Sequence, residues 1–585
     1  MMMVKDHEGL TSYYNYKTIS RIGLLLVIHL ALYSCSDVNN GKQEPNILLI
    51  LTDNQSYYEL SCNRHEIVKT PNIDKVAKQG VVFDNFYATP YCSPSRAELL
   101  TGRYSLRYGI HNTIGGVSIL PTTEILISDL LKDAGYTCGV FGKWHLGNEY
   151  PYNPIYRGFD KSFIHDGGGI GQFPDYYGNT HIDASYNHNG KFVSSLGFSS
   201  DVLFHEAQHF IKENQNNPFF CFVSTPATHG PWQAHPEKLK ELKKRGIEGT
   251  DKEMALYSMI ENIDDNVGML LSELDSLELT ENTLVIIATD QGMRYRGLPN
   301  PPAVNNHGLP DDVLDFRHKV FCMMQFPKKQ KQAYKSMALT GIVDIPPTII
   351  DVCGLEVPAN MDGRSLKPLL TDTKEWDDDR TVIVQCPRNR KRKKYKNASV
   401  KTREWRLLDG KLLFNAIEDP YQLEDVSAKH PQVVDSLNAI YNEFWESLPT
   451  EPILARHIIG AKNAPEIRLN AMDWYKGNNP HTQGQIPSKR NNGVWPVTIA
   501  NDGLYHFELR SFPREHPKTI AANKTVLKIG ESVFSKITDT EQEKVTFEVE
   551  LKTGQYDLST FFESDSSDEN KKSWGANFVY INRIE

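Results

Sequence analysis

Uninterrupted apolar runs, each closing on a polar cluster, recur along the first part of the chain. Residues 46–51 read Asn-Ile-Leu-Leu-Ile-Leu, the pattern of a strand buried on both faces. Comparable runs predict strands at 136–141, 218–224, 283–288 and 320–326. Helical spacing lies between them. Residues 72–79 put Ile73, Val76 and Ala77 on one face before Gly80, 123–134 end at Gly135, and 254–274 form a long third helix. Buried strands alternating with helices predict an α/β domain built on a largely parallel sheet flanked by helices. Such sheets collect their functional groups at the C-terminal ends of the strands. Here those ends carry Thr52-Asp53-Asn54, Gly142-Lys143-Trp144-His145, Thr228-His229-Gly230 and Thr289-Asp290-Gln291.

Beyond about residue 375 the pattern changes. Residues 403–414 predict a hairpin turning at Asp409-Gly410, and 432–447 a helix. A polar stretch, 478–492, reads as a linker. Short alternating segments at 495–499, 504–509, 526–529, 544–551 and 577–581 then predict a β-sandwich-like, all-β module. The expected division is therefore a catalytic domain at 45–375, a small C-terminal α+β subdomain at 376–477, the linker, and the β-module at 493–585. A length of 585 residues requires such a division, because a single core does not grow to that size. At the other end, Lys17 and Arg21 precede an apolar run, 22–33, that is short for a bilayer span and suits an export signal over 1–35. A net charge of -9 argues against nucleic acid as a partner. The eight cysteines show no metal or redox spacing. Cys62, Cys138, Cys221, Cys322, Cys353 and Cys386 are expected to be buried thiols.

Cys92 has a different setting. In Tyr91-Cys92-Ser93-Pro94-Ser95-Arg96 the Ser suits an N-cap, the Pro a first helical position, and Gly102 the exit of the helix. Cys92 is then expected just before a helix N-terminus, where free N–H groups and the dipole favour an anion. Arg96, one turn in, adds a fixed cation with a fork of donors. Asp53, Asn54, Asp290 and Gln291 offer carboxylate and amide oxygens at strand tips. Singly, such residues form turns; together they make a hard donor set suited to Ca2+ or Mg2+.

Cys92-Ser93-Pro94-Ser95-Arg96 with Leu100-Thr101-Gly102-Arg103 resembles the signature of type I sulfatases of the alkaline phosphatase superfamily. The resemblance covers about residues 45–450. It implies that a formylglycine-generating maturation enzyme converts Cys92 to formylglycine (3-oxoalanine), the nucleophile, and that Asp53, Asn54, residue 92, Asp290 and Gln291 hold a divalent cation. It also implies that Lys143 binds sulfate oxygens, that His145 bonds the formylglycine hydroxyl, and that His229 contacts sulfate and the leaving oxygen. In-line attack on sulfur would follow, with Arg96, Lys143 and the metal stabilising the sulfuryl oxygens and His229 supplying a proton. The chain departs from the family where Asn54 replaces a usual Asp and Gln291 a usual Asn or His, and it shows no counterpart of a lysine after the second metal pair. His307 is the nearest polar candidate there.

The implied activity is sulfate removal from a sulfated glycan. The alternatives are a phosphonate or phosphate ester hydrolase of the same superfamily and a non-catalytic glycan-binding lipoprotein. Cys35, followed by Ser36-Asp37, resembles a bacterial lipobox. It implies an exported protein, periplasmic or held at the outer membrane or cell surface by a lipid on Cys35. The run from Arg388 to Lys396 carries seven positive charges and is a candidate contact for a polyanion.

Overall fold

The computed structural model describes residues 44–584 except 294–295, 297–302, 331, 372–375, 377–378, 389–391, 452, 487–490, 566 and 568–571. The export signal and Cys35 lie outside the described residues, as do three positions of the basic run. The catalytic core is built on ten strands: β1 (Asn46–Thr52), β2 (Val81–Tyr87), β3 (Thr137–Lys143), β4 (Lys161–His165), β5 (Ser185–His188), β6 (Lys191–Ser194), β7 (Phe219–Ser224), β8 (Thr283–Thr289), β9 (Cys322–Gln325) and β10 (Tyr334–Gly341). Their order is β10-β2-β9-β8-β1-β7-β3-β4-β5-β6. The centre is parallel, with β1 between β8 and β7, and β3 beyond β7. Antiparallel pairing is confined to β9 and to β5 and β6.

β1 shows why its run is apolar throughout. Ile47, Leu49 and Leu51 join one hydrophobic layer, while Leu48 and Ile50 join the layer on the opposite face. Alternate side chains of a strand face opposite ways, so a sheet covered on both sides needs both sets apolar. The helices Pro71–Gln79, Ser199–Glu213 and Asp251–Ser276 cover one face. The helix Cys92–Thr101 lies in the other layer and is buried along its whole length. This helix begins two residues earlier than predicted. Tyr91 is the extended N-cap residue, Cys92 opens the helix, and the hydroxyl of Ser93 is buried without a hydrogen-bond partner rather than capping. Gly102 closes it in a left-handed conformation, φ 68°, as expected.

Strands Val382–Gln385, Ala398–Lys401, Trp405–Leu408 and Leu412–Asn415 form a separate antiparallel sheet. With the helix Pro431–Glu446 they make the small α+β subdomain. Leu408 pairs with Leu412 across Asp409, Gly410 and Lys411, the first two at positive φ, so the hairpin turns at the predicted Asp-Gly. Two further sheets enclose one core led by Trp474, Trp495, Tyr505 and Phe507. They include strands that precede the expected start at 493: His457–Ile459 pairs with Gly493–Ile499, and Glu466–Asn470 with Phe578–Arg583. Nor is 478–492 a free spacer where it is described. Ile486 lies in the β-module core, and Gln483 is bonded to the catalytic domain. Of the six thiols expected inside, five are buried and Cys62 is exposed.

One ionic cluster joins the β-module to the catalytic core. Arg468 donates to Asp166 at 2.7 Å and to the Pro174 carbonyl at 3.0 Å, with Glu149 at 3.7 Å and Glu515 at 4.0 Å. Nearby Asp473 accepts from Asn470 at 2.7 Å. Burial pushes the Asp473 carboxyl up to about 7, against the opposing pull of Asn470 and Arg468. A carboxyl raised in the folded state stabilises fully below its ordinary pKa and loses that contribution as pH rises through the folded value. Asp473→Asn should therefore gain stability relative to the wild type by about 1–3 kcal/mol between pH 5 and pH 8. Denaturant titrations at several pH values measure this; a constant difference across the range would show that Asp473 is already ionised in the fold.

Candidate active site

The order β8-β1-β7-β3 places four strand tips in a row. Thr52 is level with Thr289, Leu51 with Ser224, and Ser224 with Gly142. The next residues along that edge are Asp290, Asp53 and Lys143. Gly142 permits the tight approach. Its φ is 116°, and a Cβ there would lie 2.0 Å from the Ser224 carbonyl oxygen. Asn54 and His145, each at φ 60°, then turn the chain sharply away from its strand.

These residues form one buried ion cluster. The Lys143 ammonium donates to Asp53 Oδ2 at 2.6 Å. Arg96 donates through Nε to Asp290 Oδ2 at 3.0 Å, and its Nη2 lies 2.9 Å from the same oxygen. Arg96 Nη1 donates to the Lys143 carbonyl at 2.9 Å and to the Ser224 hydroxyl. Arg96 Nη2, although close to Asp290, is buried with no hydrogen-bond partner of its own. Through Nε and Nη1 the side chain positions Asp290 and the β3 tip, and its Nη2 keeps a donor to spare. Burial, followed by the charge of Asp53, raises Asp290 to about 6, and Arg96 and Lys143 oppose the shift.

Cys92 opens its helix against this cluster, with Sγ 3.2 Å from His145 Nδ1. His145 Nε2 lies 3.0 Å from the Thr113 carbonyl, which accepts only, so Nε2 carries the hydrogen and Nδ1 turns a lone pair toward residue 92. Burial, then Lys143 and Arg96, holds His145 well below the ordinary histidine range. Burial likewise pushes the Cys92 thiol up, although Lys143 pulls the other way. His229 donates from Nδ1 to the Gly230 carbonyl at 2.5 Å, which leaves Nε2 as its acceptor. Burial and Lys143 lower it to about 4.

The metal-binding candidates come together as predicted. Asp290 Oδ1 accepts from the Asn54 N–H at 3.1 Å, and the Gln291 amide donates to Asn54 Oδ1. Asp53 Oδ1 is buried with no hydrogen-bond partner. An orphaned, charged acceptor between carboxylate and amide oxygens fits a hard cation. Among the described residues no group of three or more His, Cys, Asp or Glu side chains is disposed for a metal. That agrees with a donor set in which amides replace half the acids.

His307 is not part of this assembly. Its Nε2 faces the Gln422 carbonyl at 3.0 Å, and its ring packs 5.0 Å from Phe414, on the small subdomain. The loop after the second metal pair does supply a cation. Arg296 reaches the Asn54 carbonyl at 2.8 Å, Thr228 Oγ1 at 3.3 Å and the buried Glu59. It was legible as a basic residue six positions after Asp290, but its loop has no periodicity to aim it. Ser224 and Arg317 also went unpredicted. Arg317 ties the Gly292 carbonyl to the Pro90 carbonyl, and so the second metal loop to the approach to Cys92. Arg388, the first residue of the basic run, stacks 4.5 Å over Tyr91. Arg392 is turned to the Pro449 carbonyl instead. The cavity of about 360 Å³ between core and small subdomain, lined by Tyr57, Tyr87, Lys319 and Arg406 among others, includes none of the cluster.

The family profile described as Sulfatase matches residues 45–355, and that of the C-terminal region of N-sulphoglucosamine sulphohydrolase matches 307–446. The chain belongs to the sulfatase family. It is 30% identical over 357 residues to the N-acetylgalactosamine-6-sulfatase of Canis lupus familiaris, covering 56% of this chain and 66% of that protein. It is 27% identical over 443 residues to the ulvan-active sulfatase of Formosa agariphila, covering 69% and 83%. The crystal structure of Ps i-CgsB, also solved with k-i-k-neocarrahexaose, superposes with TM-score 0.62 at 27% identity over 70% of this chain and 94% of that one. The chain thus spans about two-thirds of the length of the mammalian sulfatases it matches. The family's alkaline-phosphatase-like core is the ten-stranded mixed sheet described above.

In this member of the family, removing one partner of the buried cluster should be costly. Arg96→Met leaves Asp290 beside Asp53 without its counter-charge and should lose about 3–5 kcal/mol. The double variant Arg96→Met/Asp290→Asn should recover part of that loss, since the remaining Asp53–Lys143 pair is neutral. Equilibrium unfolding in chelator reads both; a single variant within about 1 kcal/mol of the wild type would show that the guanidinium is not the counter-charge.

Proposed function

We propose that the protein is a sulfuric ester hydrolase that removes sulfate from a sulfated carbohydrate, with residue 92 matured to formylglycine and a Ca2+ ion held at the strand tips. The observation that carries the reading is the position of Cys92. It opens a buried helix, faces the His145 Nδ1 lone pair, and adjoins two cations and two carboxylates. The names of the matched relatives support a carbohydrate substrate, as does the k-i-k-neocarrahexaose in complex with Ps i-CgsB. The export signal read in residues 1–35 is consistent with a substrate met outside the cytoplasm.

As formylglycine, residue 92 would supply a hydrated aldehyde, a nucleophile toward sulfur that can be regenerated by loss of sulfate. A hard cation on Asp53, Asn54, Asp290 and Gln291 would offset charge on the sulfuryl oxygens. The chain's own side chains do the rest. Lys143, ending β3 beside Asp53, is a short reach from an oxyanion at residue 92. His145, fixed by the Thr113 carbonyl, accepts a proton from a hydroxyl at residue 92 through Nδ1. His229 is neutral in the free protein and has no hydrogen at Nε2 to give. An anionic ester beside it raises its affinity for a proton, and protonated Nε2 then serves the departing alkoxide. Arg96 holds Asp290 and the β3 tip in register while this happens.

Protein made with a formylglycine-generating enzyme should carry a residue-92 peptide about 18 Da lighter than encoded. It should desulfate at least one of N-acetylgalactosamine 6-sulfate, N-acetylglucosamine 6-sulfate, ulvan oligosaccharides and k-i-k-neocarrahexaose. Full activity in unmodified Cys92 protein would remove the proposed nucleophile, and faster turnover of phosphonate than of any sulfate ester would favour the other hydrolase class.

Chelation should lower activity and thermal stability together, because a ligand that binds only the folded state stabilises it, and Ca2+ should restore both. The Tm of Asp53→Asn protein should not respond to Ca2+. A wild-type Tm indifferent to chelator would rule out a cation at the strand tips.

A further inference from the structure

The segment leading into the β-module is built into the wall of the site. Thr482 pairs with Gln172 in an isolated bridge, and the Phe173 N–H donates to the His481 carbonyl at 3.2 Å. One side chain makes the clamp. Gln483 Nε2 donates to the carbonyls of Gln172 at 3.1 Å, Asp175 at 3.1 Å and Tyr176 at 3.2 Å, and its Oε1 accepts from the Gly178 N–H at 2.9 Å. Four bonds from one amide hold 481–485 against the loop 167–178.

That loop touches both histidines of the site. A Cβ on Gly168 would lie 2.4 Å from His145 Cε1 and 2.6 Å from Gln172 Oε1. One on Gly169 would lie 3.1 Å from Gln172 Nε2 and 3.1 Å from His229 Nδ1. Only glycine lets the chain pass so close. Gln172 Oε1 is buried there with no hydrogen-bond partner. From His229 the wall therefore runs through Gly169 and Gln172 to Thr482 and His481.

We propose that His481 is a specificity-determining residue of this site, contacting the sugar that bears the sulfate. The inference rests on the sulfatase reading above. Sulfate is expected between residue 92 and Lys143, and the leaving oxygen at His229. The sugar then extends along the wall beyond His229, where His481 stands. Burial, then His229, Arg388 and Lys143, holds His481 below the ordinary histidine range. It is a neutral donor and acceptor beside cations, suited to hydroxyl or acetamide groups of a sugar rather than to a second sulfate. The β-module thereby serves the reaction, since it carries the residue and Gln483 fixes it.

His481→Ala should raise KM for the best glycan of the panel about three- to tenfold, the worth of one hydrogen bond, with a much smaller change in kcat. Turnover of a small aryl sulfate should fall far less than glycan kcat/KM. Gln483→Glu should act in the same direction as His481→Ala, because three carbonyls face the nitrogen it removes, and His481→Asn should recover part of the loss. Equal losses on glycan and aryl sulfate, or none on either, would overturn the assignment. Calorimetric binding of the same oligosaccharide to Cys92→Ala protein, with and without His481→Ala, reads the contact without turnover. Weaker binding in the double variant supports it whichever ester the wild type hydrolyses, and equal binding overturns it.

Discussion

Everything at this site depends on keeping two carboxylates and two cations out of water at the tips of parallel strands. Asp53, Asp290, Lys143 and Arg96 are almost wholly buried. Moving such charges out of water costs several kcal/mol each, and their attraction repays it only with near-ideal geometry and further hydrogen bonds. The fold meets that condition in three ways. The register of β8, β1, β7 and β3 brings the tips level. Gly142 admits the Ser224 carbonyl at a distance no other residue would allow. Ser224 and the Lys143 carbonyl take up Arg96 donors that the carboxylates leave over. The fully apolar β1 and the two hydrophobic layers around it supply the stability against which a charged cluster can be carried. Two atoms of these four side chains remain unmatched, Arg96 Nη2 and Asp53 Oδ1. Asp53 Oδ1 has no hydrogen-bond partner, and a buried anionic oxygen left so is reason to look for a cation there.

The same constraint explains what was legible in the sequence. A strand buried on both faces must be apolar at every position, so β1, β3, β7 and β8 announce themselves, and their polar ends mark the catalytic edge. β4, β5 and β6 are short and mixed in character because they lie toward a sheet edge, and they went unpredicted. His457–Ile459 is too short for a period, and the alternation in Glu466–Asn470, with Ile467 and Leu469 inward, was overlooked, so the start of the β-module was read too late. Ser93 suits an N-cap by its chemistry, but the helix starts at Cys92, and local chemistry alone does not settle a boundary to within two residues. His307 shows the converse limit. A loop histidine near a motif in sequence is free to fold elsewhere, and this one packs on Phe414. His481 lay in a stretch whose polarity reads as a spacer; its place comes from pairing with a loop some 300 residues earlier.

The three parts of the chain meet at one edge of one sheet. The small subdomain reaches it through Arg388, stacked on Tyr91 next to residue 92, and Asp312 accepts the Tyr91 hydroxyl from the other direction. The β-module reaches it through the loop 167–178. A strand edge is open to solvent, and water there would weaken every electrostatic interaction the site depends on. The added parts close that edge. Each has a hydrophobic core continuous with the catalytic domain, through Phe173 for the β-module and Leu106 for the small subdomain, which fixes their walls relative to the ion cluster.

Charge is divided at this site in a way that selects for an anion. Histidines 145, 229 and 481 are all held below their ordinary range, chiefly by burial. The fixed positive charge comes instead from Lys143, Arg96, Arg388 and Arg296. Neutral imidazoles add nothing to the repulsion among those cations while the site is empty of substrate. If His229 serves the leaving oxygen as proposed, an incoming anion would lower the potential around it and favour a proton there only when a negatively charged ester is in place. A neutral ester of the same shape would enter beside an unprotonated His229 and find no donor for its leaving oxygen. On that reading, discrimination against uncharged esters would follow from the burial of one histidine beside one lysine, with no contact dedicated to it.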